Sequence, residues 1–282
     1  MKLENELDVI RARWGPWTAH NIQLDDNIFT ISKNAGNRVS HRADLYLELI
    51  KIFAHKNISE LKVLDLGCLE GGISIKLAQA GMTVVGTDVR EGHIRKCEYV
   101  SNKLNLNDHL TWLIGDVTDD SFWNSLGLFD VIICSGLLYH IADKDIYKFV
   151  KCMRAHNASP SGLTIIDTNI TSSSQHTYQV SPQLSIYGRQ WIEHKKGKSI
   201  RDRIKDSWSS LNNDHAFWMT ERSLVNIFVA SNYSSFHKPL YPFHEWGHKN
   251  RDVWVALAGD YDKNYTLRSE PDNRPVEHPG LN

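Results

Sequence analysis

Through the middle of the chain, short apolar runs alternate with longer stretches in which apolar residues recur every three or four positions. The runs at Leu61–Leu66, Thr83–Thr87, Leu110–Ile114, Asp130–Cys134 and Leu163–Asp167 predict strands. Between them the spacing predicts helices over about Gly71–Ala80, Glu91–Leu104 and Lys144–His156. An earlier helix is expected over His41–His55, with Ser40 as its N-cap and Leu45, Leu49, Ile52 and Phe53 on one face. Strands that alternate with helices call for a parallel sheet covered on both faces, a doubly wound α/β fold.

The rhythm stops after Asn169. Residues 170–218 hold Ser172 to Ser174, several aromatics and mixed charges without a clear period. A structureless insertion of that length is often a lid or a binding region. Regularity returns at Thr220, an N-cap before Leu224, Ile227 and Phe228, and Val253–Ala258 reads as a last strand. The expected organisation is an irregular N-terminal arm over 1–39, with room for a short hairpin, and a main domain over 40–260. The 170–218 insertion would cover that domain's site, and a proline-containing tail over 261–282 is expected to be flexible.

Charge narrows the partners. Lys and Arg number 32 against 33 Asp and Glu, so there is no basic excess of the kind that grips a phosphate backbone. Met1 to Ile10 mixes Lys2, Glu4, Glu6 and Asp8 with apolar residues, unlike a signal peptide, and no apolar run suits a membrane span. Cys68, Cys97, Cys134 and Cys152 form no CxxC pair and read as reduced thiols of a cytoplasmic protein.

The chemistry concentrates at the first two strand ends. Val63-Leu64-Asp65-Leu66-Gly67-Cys68-Leu69-Glu70-Gly71 runs from a strand into a helix, and Gly67 and Gly71 permit a tight turn and close approach to a ligand. The second strand ends in Asp88, 21 positions after Gly67, where an acid can accept hydrogen bonds from both hydroxyls of an adenosine ribose. A dinucleotide loop would read GxGxxG and offer a helix N-terminus to a pyrophosphate. Here Asp65 and Glu70 would repel such a dianion. They are compatible with S-adenosylmethionine, which carries an ammonium and a sulfonium and no phosphate.

Over about residues 60–170 these motifs resemble the class I S-adenosylmethionine-dependent methyltransferases. Asp65-x-Gly67-x-x-x-Gly71 matches the family's first motif, Asp88 its second, and Gly115-Asp116-Val117 its third. The resemblance implies that Asp116 and Val117 contact the adenine. It also implies a Rossmann-like sheet of seven mostly parallel strands, the last in an antiparallel hairpin.

The fourth strand delivers Ser135 and Gly136 to the cofactor's edge, then Tyr139 and His140 to the mouth of the crevice. Histidine titrates near neutral pH, so His140 could take a proton from a hydroxyl or amine during methyl transfer; equally it could shape the pocket through a backbone hydrogen bond. Gly136-Leu137-Leu138-Tyr139-His140 and the segment Trp17-Thr18-Ala19-His20-Asn21-Ile22 are similar to the subgroup around the tRNA wobble-uridine carboxymethyltransferase. That likeness implies cofactor contacts from Tyr139 and from Arg42.

No metal site is expected. His244-Glu245-Trp246-Gly247-His248 is not HExxH, and His194 and His215 lie in irregular segments. Tyr187 to His194, with Arg201, Arg203, Trp208 and Trp218, suits a pocket for an aromatic, sugar-like or anionic substrate. The expected protein is an O- or N-methyltransferase of a small molecule. The alternatives are a tRNA-modifying enzyme, with Lys195, Lys196, Lys198 and Arg201 as its basic surface, and a non-catalytic cofactor-binding module.

Overall fold

A computed structural model describes residues 3–35, 38–158, 162–239 and 251–259. In chain order the elements begin with helix α1 (Leu3–Trp14), the hairpin strands β1 (Gln23–Asp25) and β2 (Ile28–Phe29), and α2 (Arg38–Phe53). The alternating core follows as β3 (Lys62–Leu66), α3 (Gly72–Gln79), β4 (Thr83–Asp88), α4 (Glu91–Lys103), β5 (Leu110–Ile114), α5 (Asp120–Asn124), β6 (Val131–Ser135), α6 (Asp143–His156) and β7 (Gly162–Asn169). Then come β8 (His176–Ser181), β9 (Leu184–Ile192), α7 (Ile200–Lys205), β10 (His215–Met219), α8 (Glu221–Ala230), β11 (Ser235–His237) and β12 (Arg251–Ala258).

Seven strands form the main sheet in the order β11-β12-β7-β6-β3-β4-β5. The five expected from apolar runs pair in parallel, while β12 lies antiparallel to β7 and β11 antiparallel to β12. Side chains alternate between two cores. Leu64, Ile132 and Ile166 meet α6 and α8 on one face through Phe149, Val150, Ile227 and Phe228. Val63, Ile133 and Ile165 meet α2 and α3 on the other through Leu45, Ile50, Ile75 and Leu77. Burial on both faces explains why these strands read as near-continuous apolar runs. The strand order reverses between β3 and β6, which places a crevice outside their carboxyl ends.

Three expectations are corrected. The N-terminal arm holds the expected hairpin but begins with α1, whose single fully buried residue, Leu7, joins the α2–α3 core. Helix α2 starts at Arg38, so Ser40 lies inside it and not ahead of it. The insertion is also far from structureless: β10, β9 and β8 make an antiparallel sheet. Leu184, Ile186, Phe217 and Met219 dock that sheet on the main core. The expected cap at Thr220 is present, its side chain accepting from the Ser223 amide. The tail over 261–282 lies outside the described residues, as do His244 and His248. Among the described residues no helix is long and apolar enough to cross a membrane.

Candidate active site

A cavity of about 560 Å³ opens where the strand order reverses. Its floor is made by the ends of β3, β4, β5 and β6, through Asp65 and Gly67, Asp88, Asp116 and Val117, and Ser135 and Gly136. Residues 18–20 of the arm and 207–213 of the insertion also line it.

The β3–α3 turn needs its glycines for different reasons. Gly67 has φ 66° and lines the cavity, and a Cβ there would sit 3.2 Å from Leu137. Gly71 has φ 77° but does not line the cavity. A Cβ there would fall 2.8 Å from both Cys97 Sγ and Trp112, so close packing on α4 and β5 sets this position, not approach to a ligand.

The acids also part ways. Glu70 does not face the cavity. It is fully buried, accepts from the amides of Thr18, Ala19 and His20 at 2.8–3.0 Å, and pairs with Lys96 at 3.0 Å. Burial alone would raise its pKa; Lys96 and the amides outweigh burial and hold it below the usual carboxylate range. Its charge therefore fastens the arm over the glycine turn, and the expectation that it repels an anion is withdrawn. Asp65 does line the cavity. Burial pushes its pKa up to about 7, against the hydrogen bond that Ser74 Oγ donates at 2.6 Å. Asp88 is held in place from both sides, Oδ2 by the Leu69 amide at 3.1 Å and Oδ1 by the Arg90 amide at 2.8 Å, with His93 Nδ1 at 3.1 Å. Asp116 accepts from the Thr118 amide and hydroxyl and from the Asn212 side chain.

His20 joins this group from the arm. Its Nδ1 accepts the Gly72 amide at 2.8 Å, and burial lowers its pKa to about 4, so the ring is neutral. The segment around it was singled out in the sequence, but His20 itself was not.

Under the ends of β6 and β7 sits a second cluster, of which sequence reasoning missed Asp167, Tyr46 and Arg251. Asp167 is buried and bound by the Arg251 guanidinium, by the Tyr46 hydroxyl at 2.7 Å, and by Arg42 at 3.6 Å. Burial alone would raise the Asp167 pKa, but Arg251, Arg42 and Tyr46 together lower it. Ser135 Oγ lies 2.8 Å from the Tyr46 hydroxyl, and Arg251 sits 5.6 Å from the centre of the Tyr139 ring. Arg42, Ser135, Tyr139 and Arg251 all line the cavity, so the expected cofactor-side residues gather around one buried carboxylate. The only signal for Asp167 was its place at a strand end; Arg251 lay outside the expected last strand.

His140 closes a short 3₁₀ turn after β6 and lines the same cavity. Its Nδ1 lies 2.8 Å from Oε1 of Glu193, whose side chain is 3% exposed. Glu193 lies 53 positions away, inside the Tyr187 to His194 stretch expected to suit a substrate pocket, but nothing there marked it as the partner of His140. His194, weighed as a metal ligand, instead packs inside the insertion with Nε2 against the Ser210 carbonyl.

Residues 38–237 match a family model described as a methyltransferase domain. The chain is 29% identical over 152 residues to the ubiquinone biosynthesis O-methyltransferase of Rickettsia typhi, covering 53% of this chain and 56% of that protein. It is 28% identical over 123 residues to the magnesium-protoporphyrin O-methyltransferase of a Synechocystis strain, covering 43% of this chain and 50% of that protein. The matches thus span about half the length of these curated relatives. Among solved structures, the N-terminal domain of EvdMO1, crystallised in the presence of SAH and D-fucose, superposes with a TM-score of 0.67 at 21% identity. The match covers 92% of this chain and 97% of that one, a likeness of fold.

Proposed function

The chain belongs to the methyltransferase-domain family, and from that premise we propose that it transfers the methyl group of S-adenosylmethionine to a hydroxyl of a small molecule. The observation that carries this reading is the meeting, in one cavity, of acids from three successive strand ends with a histidine held by a buried glutamate. The cofactor supplies a methyl group activated by its sulfonium. In our reading Asp88 accepts the ribose hydroxyls, Asp65 faces the ammonium, Arg42 faces the carboxylate, and Asp116 and Val117 meet the adenine. Gly67 keeps the turn close, and Ser135 and Tyr139 border the methionine end. Gly71 enters only through packing.

His140 then acts as general base. Its imidazole would take the proton of the acceptor hydroxyl, and the bound cofactor would supply the methyl group that the acceptor oxygen receives. Orientation inside a closed cavity supplies much of the rate, and we assign the closing role to the insertion over 170–218, whose residues 207–213 already form one wall. Support for an oxygen acceptor on a small molecule comes from the relatives, which are named O-methyltransferases of ubiquinone biosynthesis and of magnesium-protoporphyrin. The four cysteines, all free thiols, suit a reducing cytoplasmic setting.

Calorimetry with S-adenosylhomocysteine tests the cofactor assignment. Wild type should bind it and ignore NAD. Asp88→Ala should lose about 1.5–3 kcal/mol of binding, because two ribose hydroxyls lose a charged acceptor. Equal affinity in the two proteins would remove Asp88 from the site.

A further inference from the structure

Glu193 follows the last residue of β9, and both of its carboxylate oxygens are in use. Oε1 meets His140 Nδ1 at 2.8 Å, and Oε2 accepts from the Ser210 amide at 2.9 Å. The Asn213 side chain reaches the same histidine from the other side, donating to its carbonyl at 3.0 Å. The segment that supplies Ser210 and Asn213 is tied at its far edge to the cofactor-side strand ends. Arg90, two residues past Asp88, donates to the carbonyls of Asp206 and Ser209 at 2.9 and 2.8 Å, and Asn212 binds Asp116.

We propose that Glu193 is a positioning residue that holds His140 in its base-competent tautomer only while the 207–213 segment is seated, so that alignment of the base depends on the cover. The proposal rests on the reading of His140 as general base. A carboxylate only accepts hydrogen bonds, so Nδ1 carries the hydrogen and Nε2 keeps the lone pair that can take a substrate proton. The same carboxylate is steadied by the Ser210 amide. If that segment lifts away, Glu193 loses its second tie and is free to rotate off the imidazole. The histidine then has no fixed tautomer. Cover and base are thereby coupled through one side chain, and the coupling is strongest when the cofactor side of the segment is also anchored. A substrate that enters before the cover seats meets an unaligned base, and closure over the bound acceptor completes the site.

Glutamine at this position sharpens the test, because it has one acceptor and one donor group facing two donors. It can keep both the histidine and the Ser210 amide only if Nδ1 gives up its hydrogen and accepts from the glutamine NH2; otherwise it loses one of them. Imidazole nitrogen NMR on the full chain, with His140 assigned by its loss in His140→Gln, reads the tautomer. Hydrogen exchange over 207–213 reads the cover, both without ligand and with S-adenosylhomocysteine as the probe. Wild type should show the Nδ1–H form. Glu193→Gln should show either a mixture containing the Nε2–H form or exchange at least about tenfold faster over 207–213. Its affinity for S-adenosylhomocysteine should stay within about threefold of wild type, since Glu193 shares no hydrogen-bond partner with Asp65 or Asp88. Ser210→Pro, which removes the amide that seats Glu193 together with the Ser210 hydroxyl that accepts from the Asn213 amide at 3.2 Å, should also give mixed tautomers. A pure Nδ1–H histidine in Ser210→Pro, or a Glu193→Gln protein unchanged in both readouts, overturns the proposal. Failure of wild type to bind S-adenosylhomocysteine would instead strike the cofactor assignment, and the tautomer of the ligand-free protein would still decide the role of Glu193.

Discussion

Asp65 and Glu70 stand five positions apart on one turn, and the structure sends them to opposite fates. Asp65 is buried with one hydroxyl donor, so its folded pKa rises to about 7 from the ordinary carboxylate value of 3.8. Between those values the folded chain keeps a proton that the unfolded chain releases. The contribution of Asp65 to stability is therefore complete below the lower value and disappears as pH climbs through about 7. Asp65→Asn lacks this dependence. Its stability relative to wild type should grow by about 4 kcal/mol from pH 4 to 7.5, read as the divergence of urea midpoints; parallel curves would refute it. The spacing from Gly67 to Asp88 was legible because a strand end fixes where its last side chain points. The inward turn of Glu70 was not legible, because its partners lie in the arm, at Thr18 to His20, and on α4, at Lys96. Glu193 was hidden for the same reason: its meaning comes from His140, which only the folded chain brings within reach.

The parallel strands β3 to β7 were legible as elements because helices cover both faces and leave apolar runs behind. The small sheet was not. Only one face of β9 and β10 docks on the core, Trp191 and Ile192 are exposed, and α7 buries no residue fully. With so little burial, this part of the insertion depends on polar ties, and Arg90 carries several of them. One guanidinium nitrogen reaches the carbonyls of Arg203, Asp206 and Ser209 at 2.8–3.2 Å. Arg90→Ala should destabilise the chain by about 2 kcal/mol, the scale of losing charged hydrogen bonds. Hydrogen exchange should quicken across 200–214 while the β3–β7 core keeps its protection. A uniform rise over the whole chain, or none, would show that Arg90 does not hold the cover. The arm illustrates a narrower failure. Leu3, Leu7, Ile10 and Trp14 do recur at helical spacing, but only Leu7 is fully buried, so the stripe is too thin to stand out among polar neighbours.

For the whole molecule the question is what the cavity can admit. The order β11-β12-β7-β6-β3-β4-β5 puts the crevice between the two halves of the sheet, and the 207–213 segment and the arm wall it to about 560 Å³. A transfer RNA would need a basic surface beside that mouth. In the best candidate in the sequence, Lys195, Lys196, Lys198 and Arg201, an acid already engages Lys198, and further ion pairs flank the set. Lys198 pairs with Asp206 at 2.7 Å, Arg203 with Asp214, and Lys205 approaches Asp202 at 4.0 Å. Neutralised side chains release few counterions from a phosphate backbone. Affinity for tRNA should therefore be weaker than about 10⁻⁵ M at physiological salt and should change little as salt rises, whereas a protein contacting six or more phosphates would lose roughly 10³-fold or more between 50 and 200 mM. Filter binding across that salt range, together with transfer of labelled methyl to total RNA, measures both. Tight, steeply salt-dependent binding, or methyl incorporation into RNA above a His140→Gln control, would make the nucleic acid the acceptor. The cover would then have to open far enough to admit a nucleotide beside His140.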